Sequence, residues 1–296
     1  MEQREWRHLL ARVVADVSGT PASGGVGGRE RCACHGVLAA GCPARVSPLV
    51  RAGASRLGLH ASGPVPGSVA GLIDHTLLNA DATRTQIAEL CDQAGRFRFA
   101  TVCVNPVWVP TAVRLLRGSG VGVCGVVGFP LGATLADVKA YEARRIIAEG
   151  AVEVDVVINL GALKSADLGL VEHDLRSVTD PCRTHGVTSK VIIEAALLSD
   201  AEKVAACVLA KLAGADYVKT STGFGPGGAT VADVALMRRV VGPEMGVKAA
   251  GGIRDLAAVR ALVGAGAERI GASAGVAIMR EVEQERVERA TGIEPV

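Results

Sequence analysis

The sequence predicts an α/β chain closed into a (β/α)8 TIM barrel, preceded by an N-terminal extension expected to be disordered. Three observations predict it. Between residues 69 and 279, strand-like and helix-like runs alternate in an even rhythm, eight of each. The strand-like runs are Val-rich and nearly continuous in apolar residues, as strands covered on both faces must be. The hydrophobic fraction is 49% with only 3% aromatic residues, so the core is aliphatic. About 210 residues for eight βα units sits at the lower end of the barrel size range. An open doubly wound sheet can use the same alternation. The first βα turn lacks G-x-G-x-x-G, however, and eight strands in even rhythm favour closure.

Residues 1–68 have a different texture, rich in Gly, Arg, Ser, Pro and Cys. After the amphipathic piece WRHLLARVVADV there is no sustained period, and such a segment cannot bury a core. It contains CACH (32–35) and then Cys42, a spacing that matches no paired C-x-x-C pattern. No metal and no cofactor are therefore expected.

From residue 69 the elements follow in order. The strands are LIDHTL (72–77), FATVCVN (99–105), VGVCGVVGF (121–129), VEVDVVIN (152–159), SKVIIEAAL (189–197), ADYVKTS (215–221), MGVKAAG (245–251) and ERIGAS (268–273). Helical periodicity falls between them, in TRTQIAELCDQAG, PVWVPTAVRLL, LADVKAYEARRIIAEG, LVEHDLRSVTDPC, AEKVAACVLAKLAG, VADVALMRRVV and LAAVRALVGAG. A last helix starts after Gly275, and residues 280–296 form a C-terminal helix and tail. Asp200 reads as a helix N-cap; Gly150, Gly214 and Gly266 read as helix stops.

Charge and cysteine usage exclude several roles. Net charge is +2 with acids and bases mixed, and no basic stripe interleaved with aromatics appears, so nucleic acid is not an expected partner. No apolar run reaches the ~18 residues of a membrane span. The first twenty residues carry Glu2, Glu5 and Asp16 and no apolar region of signal-peptide length, which makes the cytoplasm the default location. Eight cysteines in a chain this long are not a disulfide framework. Five of them lie in predicted strands and helices, where free cysteine packs as a small apolar residue.

Lysine is scarce: 7 of the 32 basic residues, the rest being Arg. Yet Lys219 ends the sixth strand and Lys248 the seventh, each followed by small residues and glycine. Lysine is the choice where an amine must lose its proton and attack. In a barrel, the C-terminal strand ends carry the active site. By strand parity Asp155 shares a face with Glu153 and Val157, while Val154, Val156 and Ile158 face the helices. Lys190, on the next strand, has the parity to supply charge to that acid pair. Burial and a second ammonium both disfavour a charged amine. Lysine lowered toward ~7 to 8 becomes a usable nucleophile, able to form a Schiff base with a carbonyl substrate. Asp155, through a water, could then move the proton. The alternative is that Lys219 and Lys248 are surface residues at strand ends, as is expected for Lys164, Lys203 and Lys211.

Glycines cluster after strands six (Gly223, Gly225, Gly227, Gly228), seven (Gly251, Gly252) and eight (Gly271, Ser273, Gly275). Glycine lets backbone N–H groups approach an anion, and loops seven and eight of barrels commonly hold phosphate. Tight turns are the other reading.

The motifs IDHTLL, CVNPVWVP, VVGFPLGAT, EVDVVINLGALKSAD, KVIIEAALL, ADYVKTSTGFGPGGAT, VALMRRVVGPEMGVKAAGGIR and RIGASAG occur in order over about 72–275. In this the chain resembles the deoxyribose-phosphate aldolase family. The resemblance implies a class I aldolase in which Lys219 forms the Schiff base, with Asp155 and Lys248 as proton donor and acceptor. It implies reversible cleavage of 2-deoxy-D-ribose 5-phosphate to acetaldehyde and glyceraldehyde 3-phosphate, in deoxyribonucleoside catabolism. It also implies substrate contacts from Asp74, Thr76, Thr222, Gly223, Gly251, Gly252, Gly271 and Ser273, with Lys190 and Cys103 in a supporting network; Cys103 reads equally as a core cysteine. A homodimer is one assembly the resemblance allows. Residues 1–68 have no counterpart in it, the helix before strand one is shortened or replaced, and the tail lacks the tyrosine that ends some members. Two rivals stay open: a Schiff-base aldolase for another phosphosugar, and a catalytically silent phosphate-binding barrel.

Overall fold

Val and Ile in the strands and Ala- and Leu-bearing amphipathic faces in the helices leave one way to bury both: a sheet closed on itself inside a ring of helices. The computed structural model describes residues 69–291, and the expected extension 1–68 with its CACH motif lies outside them. Eight parallel strands pair in chain order, the last closing on the first. They are β1 (Ile73–Leu77), β2 (Thr101–Val104), β3 (Gly122–Val127), β4 (Glu153–Val157), β5 (Thr188–Ile192), β6 (Tyr217–Lys219), β7 (Gly246–Ala250) and β8 (Arg269–Ala272). The helices are α1 (Arg84–Phe97), α2 (Val109–Leu115), α3 (Ala136–Ala148), α4 (Leu160–Lys164), α5 (Leu168–Thr184), α6 (Asp200–Leu212), α7 (Val231–Val241), α8 (Leu256–Gly264) and α9 (Gly275–Thr291). Every expected strand exists, each shorter at its ends than the apolar run, because the flanking residues turn into the loops.

Three expectations change. Asp200 is not the cap of α6: Ser199 is, its hydroxyl accepting from the Glu202 N–H while the Glu202 side chain accepts from the Ser199 N–H. A reciprocal capping box satisfies two orphan donors where Asp200 alone would satisfy one. PVWVPTAVRLL does not form one helix; a 3-10 turn (Pro106–Trp108) leads into α2. The short α4 was hidden in the loop after β4, where Asn159 caps it by accepting from the Ala162 N–H. The three glycine stops hold: Gly150, Gly214 and Gly266 take φ of +101°, +79° and +112° just past α3, α6 and α8. The expected boundary at residue 279 falls within the unbroken α9.

Val154, Val156 and Ile158 are fully buried, as are Val102, Val191 and Val218 on neighbouring strands. The five cysteines expected in strands and helices, Cys91, Cys103, Cys124, Cys182 and Cys207, are all free and buried, and Cys124 also hydrogen-bonds to Asp155. Among the described residues, no helix is long and apolar enough to cross a membrane.

Candidate active site

Strand register decides what meets inside the barrel. Asp155 on β4 pairs with Lys190 on β5, and Lys219 on β6 pairs with Lys248 on β7, which pairs with Arg269 on β8. Side chains in register on adjacent strands point the same way, so three bases stand in one row and face the acids of β4 and β1. Lys219 ends its strand as expected; Lys248 lies mid-strand, two residues before the end of β7.

Asp155 is the hub. Its Oδ2 accepts from Lys219 Nζ and from Lys248 Nζ, each at 2.8 Å, and its Oδ1 accepts from Lys190 Nζ at 2.7 Å and from the Cys124 thiol at 3.1 Å. Burial alone would raise Asp155; the ammoniums of Lys190, Lys219 and Lys248 outweigh it and hold the carboxyl well below the usual range. Lys248 experiences the mirror image. Burial would lower it, but Asp155 and Asp74 raise it further, so its ammonium is held firmly. Lys190 is raised in the same way, chiefly by Asp155 against its own burial.

Asp74, expected to meet substrate hydroxyls, is fully buried, with Oδ1 2.6 Å from Arg269 Nη1 and Oδ2 2.5 Å from Lys248 Nζ, so both oxygens are engaged by cations. Thr76, two residues further along β1, donates its hydroxyl to the Asp74 carbonyl at 2.8 Å. Glu153 binds Arg269 through both oxygens, at 3.0 and 3.1 Å, and lies 2.5 Å from Lys190 Nζ. The expected Asp/Glu/Lys network is therefore present, with Arg269 as a member that sequence reading passed over. Strand parity puts Arg269 on the face of Gly271, but its reach to β4 across the lumen needs the closed register.

Cys103 and Cys124 are register partners on β2 and β3, packed with Leu78 and Val126 beside Asp155. The hydrogen bond from Cys124 pulls the Cys103 thiol down, while burial pushes Cys124 well up. Their sulfurs and a carboxylate oxygen of Asp155 lie within 4.8 Å of one another. Those oxygens already hold three ammoniums, a poor setting for a further cation.

The glycine loops divide into two kinds. A Cβ on Gly228 would lie 2.2 Å from the Gly251 carbonyl oxygen, so the loops after β6 and β7 touch backbone to backbone there. Gly223, Gly251 and Gly252 take φ of +87°, +90° and +76°, and Gly223 and Gly252 face open space. Gly271 is different: it lies within β8, and its missing Cβ leaves room for Lys248 Cε and Ala250 Cβ, at 3.1 and 3.0 Å from where it would stand. It therefore clears space for the lysine. Gly275, at the start of α9, likewise makes room for His75. Ser273 is exposed after β8. Thr222 is already occupied: its hydroxyl and N–H donate to Glu194 Oε2 at 2.5 and 3.2 Å. Glu194, at φ +52° past β5, thus ties down the loop that follows Lys219.

Of the lysines expected at the surface, Lys164 is half exposed. Lys203 is mostly covered, its Nζ 2.6 Å from Asp233, and Lys211 donates to the Val241 carbonyl at 2.8 Å. Lys139 escaped notice altogether. It is fully buried behind β4, donating to Asp174 Oδ2 at 2.6 Å and to the Val157 carbonyl at 2.8 Å.

A closed parallel barrel whose lumen concentrates lysine amines around one carboxylate defines a class, the (β/α)8 aldolases of the amine type. The chain belongs to the DeoC/LacD aldolase family, whose model matches residues 68–285. Over 212 residues it is 58% identical to a deoxyribose-phosphate aldolase of Geobacillus sp. (strain WCH70), covering 72% of this chain and 95% of the relative. Over 208 residues it is 60% identical to that of Streptococcus pneumoniae serotype 19F (strain G54), covering 70% and 94%. A solved structure of the deoxyribose phosphate aldolase from Aeropyrum pernix, described as tetrameric, is 35% identical with a TM-score of 0.68, covering 72% of this chain and 90% of that one.

Proposed function

We propose that this chain is a class I aldolase that reversibly cleaves 2-deoxy-D-ribose 5-phosphate to acetaldehyde and D-glyceraldehyde 3-phosphate through a Schiff base on Lys219. One observation carries the reading: the amines of Lys219 and Lys248 share a single carboxylate oxygen of Asp155. Of the four cations in the cluster, Lys219 touches the fewest carboxylates. Lys190 has Asp74, Glu153 and Asp155 within 3.9 Å, Lys248 has Asp74 and Asp155, and Arg269 has Asp74 and Glu153. Lys219 has Asp155 alone.

The steps follow from that arrangement. The free amine of Lys219 adds to C1 of the open-chain aldehyde, and the carbinolamine loses water to give an iminium. The iminium places a positive charge beside the Asp155 carboxylate, which pairs with it. A base then takes the proton of the C3 hydroxyl. The C2–C3 bond breaks, its electrons form the enamine on C2, and C3 becomes the aldehyde carbon of glyceraldehyde 3-phosphate. Protonation of C2 and hydrolysis of the iminium release acetaldehyde and restore the amine. Asp155 and Lys248 are the residues we assign to proton movement. Asp155 held ionised acts as acceptor and orienter, and Lys248 as the firm ammonium that keeps it so. The backbone of Gly223, Gly251 and Gly252, with Ser273, is the cradle we assign to the phosphate. The 58–60% identical relatives bear the name of this reaction, which favours it over another phosphosugar.

Lys219→Arg is the test. Guanidinium cannot become the nucleophile, so the folded variant should lose retro-aldol turnover of 2-deoxyribose 5-phosphate. Turnover retained in the purified variant would refute the assignment.

A further inference from the structure

The lumen cluster carries unequal charge. Its acids are Asp74 on β1 and Glu153 and Asp155 on β4; its bases are Lys190 on β5, Lys219 on β6, Lys248 on β7 and Arg269 on β8. With every group ionised, four positive charges face three negative ones in a site where Asp74, Asp155, Lys190 and Lys248 are fully buried. Such a cluster is relieved by losing one proton. Arginine does not release its proton, and Lys190 and Lys248 are each bound by more than one carboxylate. The remaining titratable neighbours are Cys103 on β2, Cys124 on β3 and Tyr217 on β6, which are neutral when protonated, and Glu194 past β5, whose buried carboxylate is turned to the Thr222 hydroxyl and N–H rather than to any of the four cations. Tyr217 lies beneath Arg269, with the guanidinium 5.9 Å from its ring centre.

We propose that Arg269 is a positioning residue that supplies the unmatched positive charge and thereby assigns the missing proton to Lys219. It does so at a remove, bridging Asp74 and Glu153 and lying in register with Lys248. A lysine at this place could itself shed the proton; an arginine cannot, so the deficit passes to the one amine held by a single carboxylate. This rests on the Schiff-base reading. β6 and β8 are two strand spacings apart, about 10 Å. At an effective dielectric of ~20, removing a unit charge at that distance changes the free-amine population by about tenfold.

The test is the rate at which acetaldehyde is trapped on Lys219 by borohydride, followed between about pH 6 and 10. Arg269→Gln should move the midpoint to higher pH, lowering trapping near neutrality by about tenfold and recovering it in alkali. Glu153→Gln removes a negative charge from the same cluster and should move the midpoint to lower pH. Arg269→Lys keeps a charge at the position and should move it less than Arg269→Gln does. A merely structural role would lower trapping in all three without opposite shifts. Should Arg269→Gln fail to fold, Glu153→Gln alone decides. An unshifted or alkaline-shifted Glu153→Gln, or an unshifted Arg269→Gln, overturns the proposal while trapping itself upholds the Schiff base. A parent protein that is never trapped overturns both.

Discussion

Replacing Lys139 by Met tests whether the wall behind the site depends on a buried ion pair. Lys139 and Asp174 are 0% and 2% exposed, and their charged atoms lie 2.6 Å apart. Burial lowers Lys139 and raises Asp174, so both groups are pushed toward neutrality despite their attraction. The pair is therefore costly to form but worse to break. Lys139→Met keeps the length of the side chain, strands the Asp174 carboxyl and leaves the Val157 carbonyl without this donor. Removing one partner of such a pair costs about 3–5 kcal/mol. For a domain of this size that corresponds to a fall in Tm of roughly 6–20 °C. The double variant Lys139→Met with Asp174→Leu should recover most of the loss, because two apolar side chains need no counter-charge. Urea unfolding followed by circular dichroism, with the slope m unchanged, reads both values. A single variant within about 1 kcal/mol of the parent, or a double variant no better than the single, would refute the reasoning.

Two further outcomes are expected. Gly228→Ala forces the loops after β6 and β7 apart at Gly251, so KM for the phosphorylated sugar should rise about tenfold or more, ~1.4 kcal/mol of binding. Trapping of unphosphorylated acetaldehyde should stay within about twofold of the parent, a change of under ~0.5 kcal/mol, and an unchanged KM would remove the phosphate role from that junction. Deleting residues 1–66 should leave turnover and cooperative melting in place, since the segment lacks a pattern able to bury a core; a truncated chain that melts without cooperativity would contradict this.

The strands and the catalytic candidates were legible because both depend on short-range pattern. Val-rich runs mark buried strands, and period-two parity places Asp155, Glu153 and Lys190 on one face without knowledge of what lies opposite. Lys219 stood out by residue type at a strand end. What stayed hidden depends on distances across the barrel. Arg269 meets Glu153 only after eight strands close with a particular stagger, and its parity alone does not reveal that. Lys139 sits on a helix, where an isolated lysine reads as solvated; only the packing of α3 on α5 brings Asp174 to it. Gly271 reads as a phosphate glycine beside Ser273; that its missing Cβ also makes room for Lys248 on the adjacent strand depends on the register. Asp200 reads as the cap of α6 because its residue type suits the position, and only the Glu202 contact marks Ser199 as the cap.

The most direct measurement of the central claim is the position of the covalent adduct. The intact protein is incubated with acetaldehyde, reduced with borohydride, digested and mapped by mass spectrometry. The stable adduct should lie on Lys219 and be absent when 2-deoxyribose 5-phosphate turnover has been abolished by Lys219→Arg. An adduct confined to Lys248, or no adduct in a protein that still cleaves the sugar phosphate, would contradict the Schiff base at Lys219.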